Sequence, residues 1–109
     1  MKKSLKSLKL EQDKLSSEIK ELEASQKTLK KSFDATLQKY EQVNNASDGG
    51  STNLTTQMLD TYYGELDSMS RLYSDVSSKI MDAKIRLRAI ETDISIEESK
   101  LSYTQMQQQ

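Results

Sequence analysis

The feature that most constrains this chain is a seven-residue repeat of apolar side chains in its second half. One apolar residue stands at every seventh position, at Leu59, Leu66, Tyr73, Ile80, Leu87, Ile94 and Leu101. A second series falls between them, at Tyr62, Met69, Val76, Ala83 and Ile90. Steps that alternate between three and four residues are the heptad pattern of an α-helix packed along one stripe against another helix. The repeat predicts a helix over about residues 54–104.

The first half of the chain carries a heptad of its own, which predicts a helix over about residues 3–43. One series contains Leu8, Leu15, Leu22 and Leu29 and continues through Thr36 to Val43; the other contains Leu5, Gln12, Ile19, Gln26, Phe33 and Tyr40. Two members of this seam, Gln12 and Gln26, are polar. Polar seam residues can specify the register or the number of helices. The alternative is that their long side chains simply reach solvent.

Between the two heptads lies a cluster of turn-forming residues, 44–53, that interrupts both periodicities. Gly49 and Gly50 can adopt a positive φ, and Ser51, Thr52 or Asn53 can cap the second helix. Two long helices with a short connector fold back on each other. The sequence therefore predicts an all-α fold, with one domain over residues 1–109 that forms an antiparallel two-helix coiled-coil hairpin.

Apolar residues outside the two seams indicate further helical neighbours. They are Leu10, Met58, Tyr63, Leu72, Met81, Ile85 and Ile96. A hairpin in which each helix has one neighbour cannot bury a second apolar side. A helix that is apolar around much of its circumference usually packs against several neighbours. We therefore expect the hairpin to assemble into a larger helical bundle, with Met81 and Ile85 among its protein-binding residues.

Composition narrows the classes of function. The chain has 16 basic and 17 acidic residues, so it lacks the basic field that nucleic-acid binding needs. It has no Cys and no His, and no phosphate-binding loop pattern, so we expect no enzyme, no catalytic residue, no cofactor and no metal. No apolar run approaches the ~20 residues of a membrane span, and the N-terminal lysines precede no secretory signal segment. We expect a soluble cytoplasmic protein without membrane insertion.

Two overlapping elements in the second helix are candidates for recognition. In Tyr62-Tyr63-Gly64 the glycine costs a helix about 1 kcal/mol relative to alanine. Either another backbone approaches closely there, or the glycine is simply tolerated. Tyr63 and Asp67 are four residues apart and share one helix face, which favours a compact recognition patch. The alternative is that Tyr63 flanks the seam and Asp67 only pairs with Arg71.

A short helical hairpin without Cys or Pro, with an aromatic-x-Gly and a Tyr-x-x-x-acid element, resembles the WXG-type small proteins of type VII secretion. It departs from that family because Tyr62-Tyr63-Gly64 lies within a helix and Tyr63–Asp67 lies outside a C-terminal tail. The chain is more similar to the small helical proteins that accompany LXG toxins in type VIIb systems of Gram-positive bacteria. This resemblance implies a targeting chaperone that binds the toxin's N-terminal helical domain. The resemblance also allows a second small helical protein in that complex, and co-secretion with the toxin is an open alternative to a purely cytoplasmic location.

Three other classes were compared with this one. A generic coiled-coil scaffold needs only the two seams and predicts a stable homo-oligomer. A prefoldin-like subunit also has two helical arms, but residues 44–53 lack the alternation of a β-hairpin. A membrane-surface helix would use Leu5, Leu8 and Leu10 beside the lysines, although such anchors are usually more aromatic. The scaffold is the main alternative.

Overall fold

The computed structural model describes residues 3–46 and 53–108, with side chains as far as 105. Helix α1 spans Leu5–Ala46 and contains 42 residues, and helix α2 spans Asn53–Gln108 and contains 56 residues. The described ranges contain no β-strand. The fold is an all-α helical hairpin, which confirms the fold class predicted from the two heptads. Assembly into a larger bundle stays a prediction.

Helix α1 begins at Leu5, two residues after the predicted start, because Ser4 caps it. The backbone N–H of Ser7 donates a hydrogen bond of 3.1 Å to Ser4 Oγ, and the N–H of Leu8 donates one of 3.0 Å to the Ser4 carbonyl. A serine in this position satisfies an amide that the first turn of a helix otherwise leaves without a partner. The cap therefore fixes where the helix starts.

The other three helix ends extend further than predicted. Helix α1 includes residues 44–46 of the predicted connector, and α2 begins at Asn53 and continues to Gln108. None of these added stretches contains Gly or Pro, and glutamine is a good helix former, so the helices have no local reason to stop. The other residues of the predicted connector, 47–52, lie outside the described part of the chain.

Contacts divide the chain into two units, each containing a part of both helices. The first unit comprises Met1–Glu23 and Lys79–Gln109, and the second comprises Ala24–Ser78. Because the start of α1 packs with the end of α2 in the first unit, the helices run antiparallel there. The division reflects two separate lengths of seam, which are described in turn.

The core of the first unit is made by residues of both predicted seams. Leu15 and Ile19 of α1 pack against Ala83 of α2, and Leu87 and Ile90 extend this cluster. Ala83 is the most buried of them, with 2% of its surface exposed. Its small side chain lets the two helices approach closely, while the larger side chains on either side fill the interface. Leu8, Ile80 and Ile94, also at seam positions, are buried as well.

The second unit has a more polar seam. Gln26 Nε2 of α1 donates a hydrogen bond of 2.7 Å to Ser77 Oγ of α2, at a partly buried position. Thr36 is buried although its side chain carries a hydroxyl. Further along, a groove is lined by apolar side chains from both helices and their polar neighbours, namely Leu29, Phe33, Met69 and Tyr73 with Lys30, Asp34 and Ser70. The seam thus continues through this unit with partial rather than complete burial.

Two predicted seam residues are exposed, which corrects the prediction for them. Leu101 exposes 52% of its surface, because the register that packs Leu15 and Ile19 against Ala83 and Leu87 leaves it beyond the first turn of α1. Tyr73 exposes 38%, and it lines an open groove together with Phe33. A heptad predicts which side of a helix faces its neighbour, but not where the neighbour ends.

In the first unit, the basic start of the chain and the acidic end of α2 lie close together. Lys3, two residues before α1, forms an ion pair with Glu11 of α1, and both line the same groove as Asp93 and Glu97 of α2. Lys100 pairs with Glu97 at 3.3 Å. These side chains are partly exposed, so each pair contributes little to the free energy of unfolding, at most about 1 kcal/mol.

Neither described helix is long and apolar enough to cross a membrane.

Candidate functional site

Seven apolar residues that fall outside the seams are solvent-exposed. The exposed set contains Leu10, Met58, Tyr63, Leu72, Met81, Ile85 and Ile96. Apart from Leu10 they lie on α2. Leu8, by contrast, is buried in the seam, so a membrane-surface helix that uses Leu5, Leu8 and Leu10 together does not fit this fold. The unpartnered apolar surface of the described chain is therefore concentrated on the second helix.

In the first unit, seven exposed residues of α2 form one continuous stripe, here called the outer stripe. Its members are Met81, Ile85, Ala89, Thr92, Ile96, Ser99 and Tyr103, and all are exposed. Successive members are three or four residues apart, and the pairs Met81/Thr92, Ile85/Ile96 and Thr92/Tyr103 are each separated by eleven residues. An eleven-residue repeat stays on one side of an almost straight α-helix. None of the seven side chains is charged.

The outer stripe lies on the side of α2 that faces away from α1. With about 100° between successive residues, the stripe centres roughly 180° around the helix from Ile80, Ala83 and Leu87. Met81 and Ile85 expose 64% and 60% of their surfaces, whereas Ile80 and Ala83 expose 7% and 2%. The hairpin therefore buries one side of α2 and leaves an apolar strip on the opposite side.

The C-terminal part of the outer stripe contains a shallow groove. It is lined by Ile96, Ser99, Lys100 and Tyr103, with Ser95 and Thr104 at its edges. Residues at positions i, i+3, i+4 and i+7 make up the four-sided hole that receives a side chain from a neighbouring helix in knobs-into-holes packing. Ser99 is small, so the floor of the groove lies below the larger side chains on either side.

The second unit presents the aromatic and acidic patch predicted from Tyr63 and Asp67. Tyr63 is 66% exposed, while Tyr62, a seam residue, is partly buried. Asp67 Oδ2 lies 3.2 Å from a guanidinium nitrogen of Arg71, and both side chains are largely exposed. Asp67 thus pairs with Arg71, as in the simpler interpretation, and the side chain of Tyr63 is exposed to solvent. A role of this patch in recognition stays a prediction.

Gly64 lies beside this patch and is not required by the hairpin. Apart from the adjoining residues and the backbone of its own helix, a methyl group built at its Cα meets no atom within 4 Å. Helix α2 continues through it without interruption. No described part of the chain approaches it closely, so within the hairpin it is a tolerated glycine. Together, Tyr63, Gly64 and Asp67 are here called the Tyr63 patch.

The predicted protein-binding residues thus fall on two separate surfaces. Tyr62, Tyr63, Gly64 and Asp67 belong to the second unit, and Met81 and Ile85 belong to the first. Sequence reasoning missed Ala89, Thr92, Ser99 and Tyr103 as members of the outer stripe. The eleven-residue spacing that joins them to Met81, Ile85 and Ile96 was the signal that could have found them.

The described residues contain no group of three or more Cys, Asp or Glu side chains that could hold a metal ion, and the chain has no His. No buried side-chain N or O atom of the described part lacks a hydrogen-bond partner. The outer stripe and the Tyr63 patch are suited to contact with another apolar or aromatic surface.

No protein-family model, curated protein or solved structure matches this chain.

Proposed function

We propose that this chain is a non-enzymatic helical adaptor that binds the N-terminal helical domain of an LXG-type toxin and promotes its export by a type VIIb secretion system. The toxin and the secretion system come from the family resemblance of Tyr62-Tyr63-Gly64 and Tyr63–Asp67. The adaptor role rests on the physical character of α2, which has apolar and aromatic side chains exposed on sides that α1 does not cover.

The single observation that carries the proposal is the exposure of Tyr63 beside Gly64. An aromatic side chain that is 66% exposed can lose much of its water-accessible surface when a partner binds. The space at Gly64 lets the backbone of a partner helix approach more closely than it could at any other residue type. Asp67, held by Arg71 at 3.2 Å, adds a charge of fixed position that can select the orientation of the partner.

The experiment measures toxin binding and toxin export with matched tyrosine variants. Tyr63→Ala should leave the thermal melt of the isolated chain within about 1 kcal/mol of the parent, as surface changes usually do. The same variant should weaken capture of the toxin's N-terminal domain and reduce export of the co-expressed toxin. Tyr103→Ala is the control, because Tyr103 is also on α2 and is 63% exposed. It should retain toxin capture.

The generic coiled-coil scaffold predicts a different result from the same variants. In a scaffold, the Tyr63 patch has no specific partner, so Tyr63→Ala and Tyr103→Ala should behave alike in the toxin capture and export assays. Unchanged toxin capture and export with a folded Tyr63→Ala variant would reject the adaptor role at this patch. Asp67→Ala supplies a second test on the same surface, since it removes a charge without removing apolar area.

A further inference from the structure

We propose that the outer stripe of α2 binds a second copy of this chain, with the two α2 helices antiparallel about a two-fold axis near Ala89. The inference goes beyond the adaptor function and does not rest on it. It concerns a surface of the first unit, whereas the adaptor role is assigned to the Tyr63 patch of the second unit.

The driving force is burial of the outer stripe. From Met81 to Tyr103 the stripe covers ~33 Å of helix at about 1.5 Å per residue. Its large members, Met81, Ile85, Ile96 and Tyr103, each expose between 48% and 64% of their surfaces. An uncharged strip of this length, with charged residues on both sides, is the pattern of a helix that packs against another helix.

The charges along this part of α2 divide at the centre of the stripe. Residues 79–88 contain four basic side chains and one acidic one, Asp82. Residues 91–98 contain four acidic side chains and no basic one. When two copies lie antiparallel, the basic half of each faces the acidic half of the other, so the surface complements itself. A two-fold axis between the halves, near Ala89, places the basic half of either copy against the acidic half of the other.

The same complementarity holds on each flank of the stripe. At about 100° per residue, Arg86 and Asp93 lie on one flank, and Arg88 and Glu91 lie on the other. In an antiparallel pair of helices, each flank meets the same flank of the partner. Arg86 of one copy then faces Asp93 of the other, and Arg88 faces Glu91. All four side chains are exposed and available for these pairs.

A parallel arrangement of the two copies would oppose like charges. In that arrangement each flank of the stripe lies beside the opposite flank of the partner, at about the same residue number. Arg86 would then face Arg88 of the other copy, and Asp93 would face Glu91. Exposed pairs contribute little affinity, but they do discriminate between orientations, because like charges repel where opposite charges attract. The charges therefore select the antiparallel orientation, and burial of the outer stripe supplies the affinity.

The groove near the end of α2 determines how far the two antiparallel helices are shifted along each other. With the axis near Ala89, Met81 of one copy lies opposite the hole formed by Ile96, Ser99, Lys100 and Tyr103 of the other. Methionine is flexible and unbranched, which suits an uneven hole of this kind. By symmetry the contact occurs twice, once at each end of the interface.

Disulfide cross-linking of single-cysteine variants tests the geometry, and the chain has no cysteine of its own. Ala89→Cys should link two copies rapidly under mild oxidation, because the two residues lie close to the axis. Met81→Cys alone should not link, because the two copies of this residue would be ~24 Å apart along the interface. The double variant Met81→Cys with Ser99→Cys should link again. Equal linking of Met81→Cys and Ala89→Cys would mean a parallel dimer and overturn the proposal.

Sedimentation equilibrium of the purified full chain tests the affinity and the charges. Ile85→Ser should raise the dimer dissociation constant by roughly 100-fold, since each dimer loses the burial of two side chains. Leu72→Ser is the matched control, because Leu72 is 51% exposed on the same helix but lies outside the stripe. It should leave the dissociation constant unchanged.

Charge reversal completes the test. Arg86→Glu should weaken the dimer by roughly tenfold, and adding Asp93→Arg in the same chain should restore it, because both pairs then form with their signs exchanged. A chain that is monomeric at all concentrations overturns the proposal. So does a dimer that Ile85→Ser leaves intact. Neither outcome bears on toxin capture, which is measured with the Tyr63 variants, so failure of one proposal leaves the other standing.

Discussion

Gln26 and Ser77 are joined across the hairpin by a hydrogen bond of 2.7 Å, at a partly buried position of the seam. The sequence left open whether Gln26 specifies register or only reaches solvent, and the structure favours the first. If one helix slipped past the other by a heptad, Ser77 would move about 10 Å from Gln26 and its hydroxyl could not accept this bond. A polar contact of this kind makes one register better than its neighbours.

A double-mutant cycle on this pair should reveal their coupling. Gln26→Ala and Ser77→Ala should each lower the free energy of unfolding, by about 0.5–1.5 kcal/mol, because each leaves its partner partly buried without a hydrogen bond. The double variant should cost less than the sum of the two. The expected coupling is about 0.5–1 kcal/mol, measured by urea unfolding monitored by circular dichroism. Strict additivity would show that the bond contributes nothing in solution.

The N-terminal cap of α1 gives a second stability prediction. Ser4→Ala should lower the free energy of unfolding by about 1 kcal/mol, because the N–H of Ser7 loses its acceptor. The control is Ser17→Ala, at an exposed position in the middle of the same helix, where alanine has the higher helix propensity. Ser17→Ala should be neutral or slightly stabilising. If both variants behave alike, the cap has no energetic role.

The two heptads predicted the buried side of each helix. Buried residues recur with the period of the helix, and the spacing of apolar residues in the sequence shows that period directly. Every buried residue of the described chain, including Ala83 and Thr36, stands at a predicted seam position. The exposure of Leu101 was not predictable in the same way. It depends on where α1 starts, and Ser4 fixes that through a local hydrogen bond that the heptad does not encode.

Ile80 and Ile85 allow the same substitution to be compared on opposite sides of α2. Ile80 is 7% exposed and Ile85 is 60% exposed. Ile80→Ala should lower the free energy of unfolding by about 2–4 kcal/mol, or unfold the chain if its total stability is smaller, because it opens a cavity in the seam. Ile85→Ala should change it by no more than about 0.5 kcal/mol at protein concentrations where the chain is monomeric.

Equal losses for Ile80→Ala and Ile85→Ala at low concentration would mean that α2 is covered on both sides within one chain. A loss at Ile85 that grows with protein concentration would instead show that its side chain is buried between copies. Thermal melts over a range of concentrations distinguish these cases, since association stabilises the folded state by mass action.

The candidate surfaces were predictable in their parts but not in their arrangement. Met81, Ile85 and Ile96 were recognised as apolar residues outside the seam, yet only the burial of Ile80 and Ala83 on the other side shows that they form a separate stripe. At Gly64, the sequence could not decide between a close approach and tolerance. That question concerns the atoms around one Cα, which depend on the packing of the whole helix.

Gly64→Ala separates the stability of the hairpin from partner binding. Beyond the adjoining residues and the backbone of α2 itself, nothing lies within 4 Å of the position that the new methyl group takes, and α2 is continuous there. The substitution should therefore raise the free energy of unfolding by about 0.5–1 kcal/mol, through higher helix propensity. If a partner helix approaches the Tyr63 patch closely, the same methyl group should weaken capture of the toxin's N-terminal domain. Ser74→Ala, at an exposed position of α2 almost three turns away, should leave capture unchanged. A Gly64→Ala variant that is more stable and binds the toxin domain as tightly as the parent would place the partner elsewhere on the chain.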